Sequence, residues 1–236
     1  MAPLVDRSRP ASVLAVYAHP DDPEVSCAGT LALWAREGAR TQLVLVNQGD
    51  KGSDDPNVEP AELAARRAAE SDAAAVLMGL AGVERLDYPD GESEDDMVLR
   101  GRLVELVRRH RPEVVICPDP TARFFGDGYV NHRDHRVCGE AVLDAVAAAA
   151  RPLYFPAAGP AWAVRAIYLS GTLEPDTFVD IATVLEVKVS ALACHRSQLG
   201  GGGEYVHDLV ELRAREAGRV VNLGAAETFK VLRPGA

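Results

Sequence analysis

Residues 13–17, Val-Leu-Ala-Val-Tyr, form a short, unbroken apolar run, the pattern of a strand buried on both faces. The run stops at His19, Pro20, Asp21 and Asp22, and Pro23 follows where the first turn of a helix accepts proline. Residues 24–37 place Val25, Leu31 and Trp34 among the apolar positions of a helix that Gly38 ends. The alternation then recurs. Residues 41–46 and 114–117 read as buried strands and 83–86 as a shorter one, with helices at 61–80, 97–110 and 137–150. Strands at 164–169 and 178–181 precede a helix at 183–199, which opens on Thr183 with Glu186 in capping-box spacing. A last helix is expected at 208–217. Strands alternating with helices through residue 150 predict βαβ units and a mainly parallel sheet in one α/β domain over residues 1–236. Ligands bind such sheets at the carboxyl ends of the strands, so the turn after residue 17 is expected to be a site as well as a connection.

Composition narrows the function classes. A chain of 236 residues, 47% hydrophobic and 25% charged, is an ordinary globular one with enough length for a sizeable core. Its formal net charge of -10 argues against a nucleic-acid backbone or an anionic membrane as the main partner. No run nears the roughly 20 apolar residues that cross a bilayer, and the first ten residues lack the apolar core of a signal peptide. No membrane insertion and a cytoplasmic location are therefore expected. Cys27, Cys117, Cys138 and Cys194 are widely spaced with no CxxC pair, which reads as reduced thiols rather than a redox or Cys-rich zinc motif.

Two clusters carry the candidate chemistry: His19-x-Asp21-Asp22 and His132-x-Asp134-His135, each after the end of a predicted central strand. A His-Asp pair at a helix start is commonly a cap and its partner. Two such clusters at strand ends, in a chain with six histidines, point instead to a metal. Two histidines and one carboxylate leave the open position that catalytic zinc requires. The metal would lower the pKa of its water to about 7, and a second, unligated carboxylate would take the proton. The loop between residues 121 and 135, with Phe124, Phe125 and Tyr129, is long enough to read as functional. Asp50 and Asp119 end strands on the same edge and either contact substrate or cap turns. Arg67 and Glu70, at i and i+3, serve the site or form a surface pair. His195 either approaches the site or is solvated. Residues 200–203 are a glycine break without the preceding strand of a phosphate loop.

The motif Ala18-His-Pro-Asp-Asp22 with the downstream His132-x-Asp-His135 resembles the LmbE-like or PIG-L family of zinc-dependent N-deacetylases. The resemblance extends to Arg67-x-x-Glu70, Tyr88-Pro-Asp-Gly-Glu92, His195-Arg-Ser-Gln198 and Ala226-Glu-x-Phe229. It implies a Rossmann-like three-layer α/β/α fold, with His19, Asp22 and His135 as ligands of one Zn2+. It implies Asp21 as general base, His132 as oxyanion stabiliser or amine-protonating group, Asp134 as the group orienting a motif histidine, and Arg67 beside the substrate. The family often reads AHPDDE, whereas Pro23 here precedes Glu24, and Arg133 stands where many members carry proline. The activity so implied is removal of an N-acetyl group from a small molecule, an amino sugar or glycosylated metabolite, and relatives leave room for a homo-oligomer. Three rivals remain: an Fe(II) enzyme on the same 2-His-1-carboxylate set, a non-catalytic metal-binding scaffold, and a nucleotide-binding Rossmann module. The last would want GxGxxG where this chain has HPDDPE.

Overall fold

Leu14 and Val16 turn to one face of the first long strand and Val13, Ala15 and Tyr17 to the other, and all five are buried. Such a strand needs cover on both sides. The computed structural model, which describes residues 3–199 and 203–234, supplies it. The strands are β1 (Leu4–Asp6), β2 (Ser12–Tyr17), β3 (Arg40–Asn47), β4 (Gly82–Tyr88), β5 (Val114–Pro118), β6 (Phe124–Phe125), β7 (Tyr129–Val130), β8 (Ala166–Ser170), β9 (Thr177–Asp180) and β10 (Ala226–Leu232). The helices are α1 (Asp22–Ser26), α2 (Ala28–Arg36), α3 (Pro60–Met78), α4 (Met97–His110), α5 (Arg133–Ala149), α6 (Leu185–Leu192), α7 (Arg196–Leu199) and α8 (Gly203–Val220).

Eight strands make one sheet in the order β1-β9-β10-β8-β5-β2-β3-β4. Strands β8, β5, β2, β3 and β4 are mutually parallel, while β10 runs antiparallel between β8 and β9. One face is covered by α2 (Leu31, Trp34), α3 (Ala74, Met78), α6 and α8. The other is covered by α4 (Leu103, Val107) and α5 (Ala141, Val142, Ala145). This is the mainly parallel sheet that the alternating pattern predicts, in the three-layer α/β/α arrangement that the family resemblance implies. From β2 the chain steps outward to β3 and β4 and then returns to β5 on the other side of β2. The carboxyl ends of β2 and β5 therefore flank the crevice where the strand order reverses, the place such sheets use for ligands. At Gly139 an added Cβ would lie 2.4 Å from the Pro118 carbonyl oxygen, so only glycine lets α5 pass the end of β5 this closely.

The structure corrects several expected boundaries. The helix expected over 24–37 is two, broken at Cys27, because distant side chains satisfy both new ends. The Lys188 ammonium donates to the Glu24 and Val25 carbonyls, both at 2.9 Å, and the Glu227 carboxylate accepts from Gly29 N at 2.9 Å and Thr30 N at 2.7 Å. The helix expected over 183–199 is a turn followed by α6 and α7, interrupted where His195 folds inward. The Thr183–Glu186 capping box does not form: α6 is flanked by Val184 and has no side-chain cap. The last helix is longer than 208–217, and residues 200–202 of the expected glycine break lie outside the described residues. Strands β1 and β10 and the β6–β7 hairpin carry too few residues or too mixed a pattern to be read in advance.

Candidate active site

The turn after β2 is closed by its own residues. His19 N donates to Asp22 Oδ2 at 2.7 Å, and Asp21 sits at φ 102°, ψ -27°. A non-glycine residue there costs on the order of 1–3 kcal/mol and persists only where its surroundings over-determine it. Arg67 does this. Buried on α3, it donates to the carbonyls of Pro20 and Gly49, and its Nη2 lies 3.3 Å from Asp21 Oδ2. Gly49, at φ +75°, is required in turn, since a Cβ there would stand 2.6 Å from Arg67 Nη1.

The second cluster opens α5. His132 is its N-cap, with Nδ1 accepting from Asp134 N at 3.2 Å. Across the crevice His19 Nδ1 meets His135 Nε2 at 3.2 Å, and the Asp22 carboxylate touches both, at 3.5 Å and 3.0 Å respectively. Donor atoms of His19, His132 and His135 lie within 4.8 Å of one another, as do those of His19, Asp90 and Asp134.

Hydrogen bonding around the two rings fixes their tautomers. Asn131 Nδ2 donates to the Ala122 carbonyl at 2.7 Å, so its Oδ1 must be the acceptor that His135 Nδ1–H meets at 3.0 Å. Asp134 is a fully buried acceptor that takes Gly91 N at 2.6 Å, the Ser93 hydroxyl at 3.2 Å and His19 Nε2–H at 3.2 Å. The nitrogens left over, His19 Nδ1 and His135 Nε2, are then bare lone pairs aimed at one another beside a carboxylate. Only a cation reconciles them. The set is two imidazoles, one carboxylate and an open side, so the residues present fit a divalent metal such as zinc.

The electrostatics agree. Burial disfavours charge on His19, yet Asp134 and Asp22 outweigh it and push the ring up to about 10 when a proton is the only cation available. Asp22 is held well below the ordinary carboxylate range, where His135 and His19 overcome its burial. Asp21, in contrast, is pushed up to about 7, chiefly by burial and against the pull of Arg67. Burial and the neighbouring His19 lower His132, which favours its neutral form.

Two cavities open onto this cluster and share Asp22, Tyr129 and His135. The smaller, about 390 Å³, is walled by Asp21, Arg67, His132, Lys51, Asp90 and Gln198. The larger, about 770 Å³, is reached past Val25, Pro118, Phe125 and Tyr129. Asp119 lines the larger cavity, where its carboxylate also caps a turn through Thr121 N at 2.9 Å. Asp50 lines neither; it accepts from Asp90 N at 2.8 Å and so shapes the loop behind the site. His195 is fully buried, 3.2 Å from the equally buried Glu24, outside both cavities. Sequence reasoning did not single out Asp90, Ser93 or Asn131. Asp90 lies 3.7 Å from His19 Nε2 and caps the 49–51 loop. Its signal was the Tyr88–Glu92 motif, which is weak alone.

The chain matches the PIG-L family, described as GlcNAc-PI de-N-acetylase, over residues 14–146. That span holds both His/Asp clusters. The chain belongs to the PIG-L family. Among curated PIG-L relatives, the diacetylchitobiose deacetylase of Thermococcus kodakarensis is 32% identical over 190 residues, 79% of this chain and 69% of that one. Among solved structures, the N,N'-diacetylchitobiose deacetylase from Pyrococcus horikoshii superposes with a TM-score of 0.88 at 27% identity, over 95% of this chain and 84% of that one. GalB, the 4-carboxy-2-hydroxymuconate hydratase of Pseudomonas putida KT2440, does so with a TM-score of 0.80 at 26% identity, over 95% and 97%. The deacetylases among these relatives are hydrolases of amide bonds in non-peptide substrates, and this chain is an enzyme of that kind. Among the described residues no helix is long and apolar enough to cross a membrane.

Proposed function

We propose that this chain is a single-domain, zinc-dependent N-deacetylase that hydrolyses the acetamide of an N-acetylated amino sugar or glycosylated metabolite. One observation carries the reading: two bare imidazole nitrogens and the Asp22 carboxylate converge beside a second carboxylate, Asp21, that Arg67 holds in place. His19, Asp22 and His135 are the proposed metal ligands. A divalent ion there supplies a water acidified to a pKa of about 7 and a Lewis-acid pull on a carbonyl oxygen.

Asp21 accepts the proton that water loses as its oxygen bonds to the amide carbon. The same carboxyl group can return that proton to nitrogen as the C–N bond breaks, giving acetate and a free amine. Arg67 fixes where the Asp21 carboxylate points. His132, its Nδ1 occupied by Asp134 N, carries its proton on Nε2 and is the proposed donor to the developing oxyanion. Asp134 keeps His19 in the tautomer whose Nδ1 is free. Arg67, Lys51 and Asp90 in the smaller cavity suit sugar hydroxyls. The four free thiols support a reducing compartment such as the cytoplasm.

The test is elemental analysis of wild type and Asp22→Ala purified without added metal, beside an assay for amine released from N-acetylglucosamine and diacetylchitobiose. Near-stoichiometric zinc, lost in the variant, together with amine release, supports the reading. Wild type that neither holds nor binds zinc overturns it. Iron in place of zinc leaves the amine assay to decide. The likeness to GalB makes 4-carboxy-2-hydroxymuconate the control substrate, and hydration of it without amine release would replace the reading.

A further inference from the structure

We propose that the 770 Å³ cavity is an acyl pocket, so that the enzyme removes fatty or aryl acyl groups longer than acetyl from an amino-sugar nitrogen. This rests on the deacylase reading above and names its substrate class. Both cavities meet at Asp22 and His135, so the scissile carbonyl belongs where they join. A trans amide is planar, and its carbon-side and nitrogen-side substituents leave in opposite directions. A substrate whose sugar fills one cavity therefore sends its acyl group into the other.

The walls say which is which. The smaller cavity presents Asp21, Arg67, His132, Lys51, Asp90 and Gln198, a set of charged and hydrogen-bonding groups that suits hydroxyls. The larger presents Val25, Pro118, Phe125 and the rings of Tyr17 and Tyr129. Its buried polar side chains are already paired within the protein. Tyr17 and Ser170 hydroxyls lie 2.7 Å apart, Asp119 holds Thr121, and Asn131 is spent on Ala122 and His135. Ser26 and the exposed Arg213 stand among the remaining lining groups. A floor with its polar atoms committed offers an incoming ligand little but apolar contact. An acetyl methyl, about the size of one water at ~30 Å³, would leave most of that space unused.

The experiment is the chain-length dependence of kcat/KM for N-acetyl-, N-butanoyl-, N-hexanoyl- and N-octanoylglucosamine, with the octyl glycoside of N-acetylglucosamine as control. Burial of each added methylene is expected to raise kcat/KM about three- to fourfold until the pocket is full. Val25→Trp, which inserts an indole from the half-exposed face of α1, should lower the octanoyl-to-acetyl ratio at least tenfold. Phe125→Ala, which removes a wall from the hairpin side, should lower the same ratio. Values that are flat or fall with acyl length, while acetyl is still cleaved, overturn the acyl pocket and leave the deacetylase standing. A gain confined to the octyl glycoside assigns the cavity to an aglycone and likewise overturns the proposal. If no amide is cleaved, the deacylase reading fails; calorimetric binding of N-octanoylglucosamine that Val25→Trp abolishes then still supports the pocket, and equal binding by both proteins overturns it.

Discussion

Lys188 Nζ lies 2.7 Å from Glu227 Oε1, with both side chains 3% exposed, at the break between α1 and α2. The ammonium spends its other donors on the last carbonyls of α1, and the carboxylate caps the first amides of α2. Each charge therefore sits at the helix end whose partial charge it complements. The pair thereby fixes the five-residue helix that carries Asp22.

Removing one partner leaves the other as an uncompensated buried charge. Lys188→Met is expected to destabilise the fold by about 3–5 kcal/mol and to weaken metal retention, because α1 is no longer held. The double variant Lys188→Met/Glu227→Gln should recover part of the stability. Urea unfolding and metal content after dialysis check both.

Groups that fix the tautomers of His19 and His135 should set metal affinity without touching the metal. Asn131→Ala and Asp134→Ala are each expected to raise the metal dissociation constant about 10- to 100-fold. Competition against a chromophoric chelator measures this directly.

Asp21 and Asp22 are neighbours with opposite expected behaviour. Asp21→Asn should retain metal and lose about 10²- to 10⁴-fold in kcat, whereas Asp22→Asn should lose metal. At φ 102° the backbone of Asp21 also favours glycine, so Asp21→Gly should be more stable than Asp21→Ala by about 1 kcal/mol. Thermal melts of the two inactive proteins would show it.

Glu24 and His195 predict a pH effect. Burial works against charge on His195, but the Glu24 carboxylate outweighs it and the ring's pKa is raised above its ordinary 6.5. A raised folded pKa means the imidazolium's contribution to stability is fully present below the unfolded value and is lost as pH rises through the folded one. Wild type should thus lose stability relative to His195→Gln as pH climbs above about 6.5. Denaturant midpoints for both proteins between pH 5.5 and 9 test the sign.

Much of this site is legible from short stretches. The apolar run before His19 and the apolar run before Asp119 mark the two strands that flank the crevice, and the His19 and His132 clusters follow from them. Helix α4 keeps its expected bounds because its signals are local: apolar residues recur at helical spacing before Pro112, and the structure adds Asp96 capping Val98 and Leu99. The break at Cys27 was not, because nothing local encodes it: its cause lies at Lys188 and Glu227. His195 was misleading for a related reason. Its spacing allows a cleft residue, and only the tertiary position of Glu24 draws it inward. Asn131 and Ser93 were invisible because a residue that orients a ligand needs no recognisable motif, only the right distance.

The Glu227 carboxylate caps amides 198 and 197 positions earlier in the chain. During synthesis the motif after β2 thus emerges well before its supporting charge, which arrives only with β10. A nascent chain lacking β10 would present His19 and Asp22 on an unanchored turn. A ribosome-arrested chain stopped before residue 226 should therefore bind zinc far more weakly than the released protein.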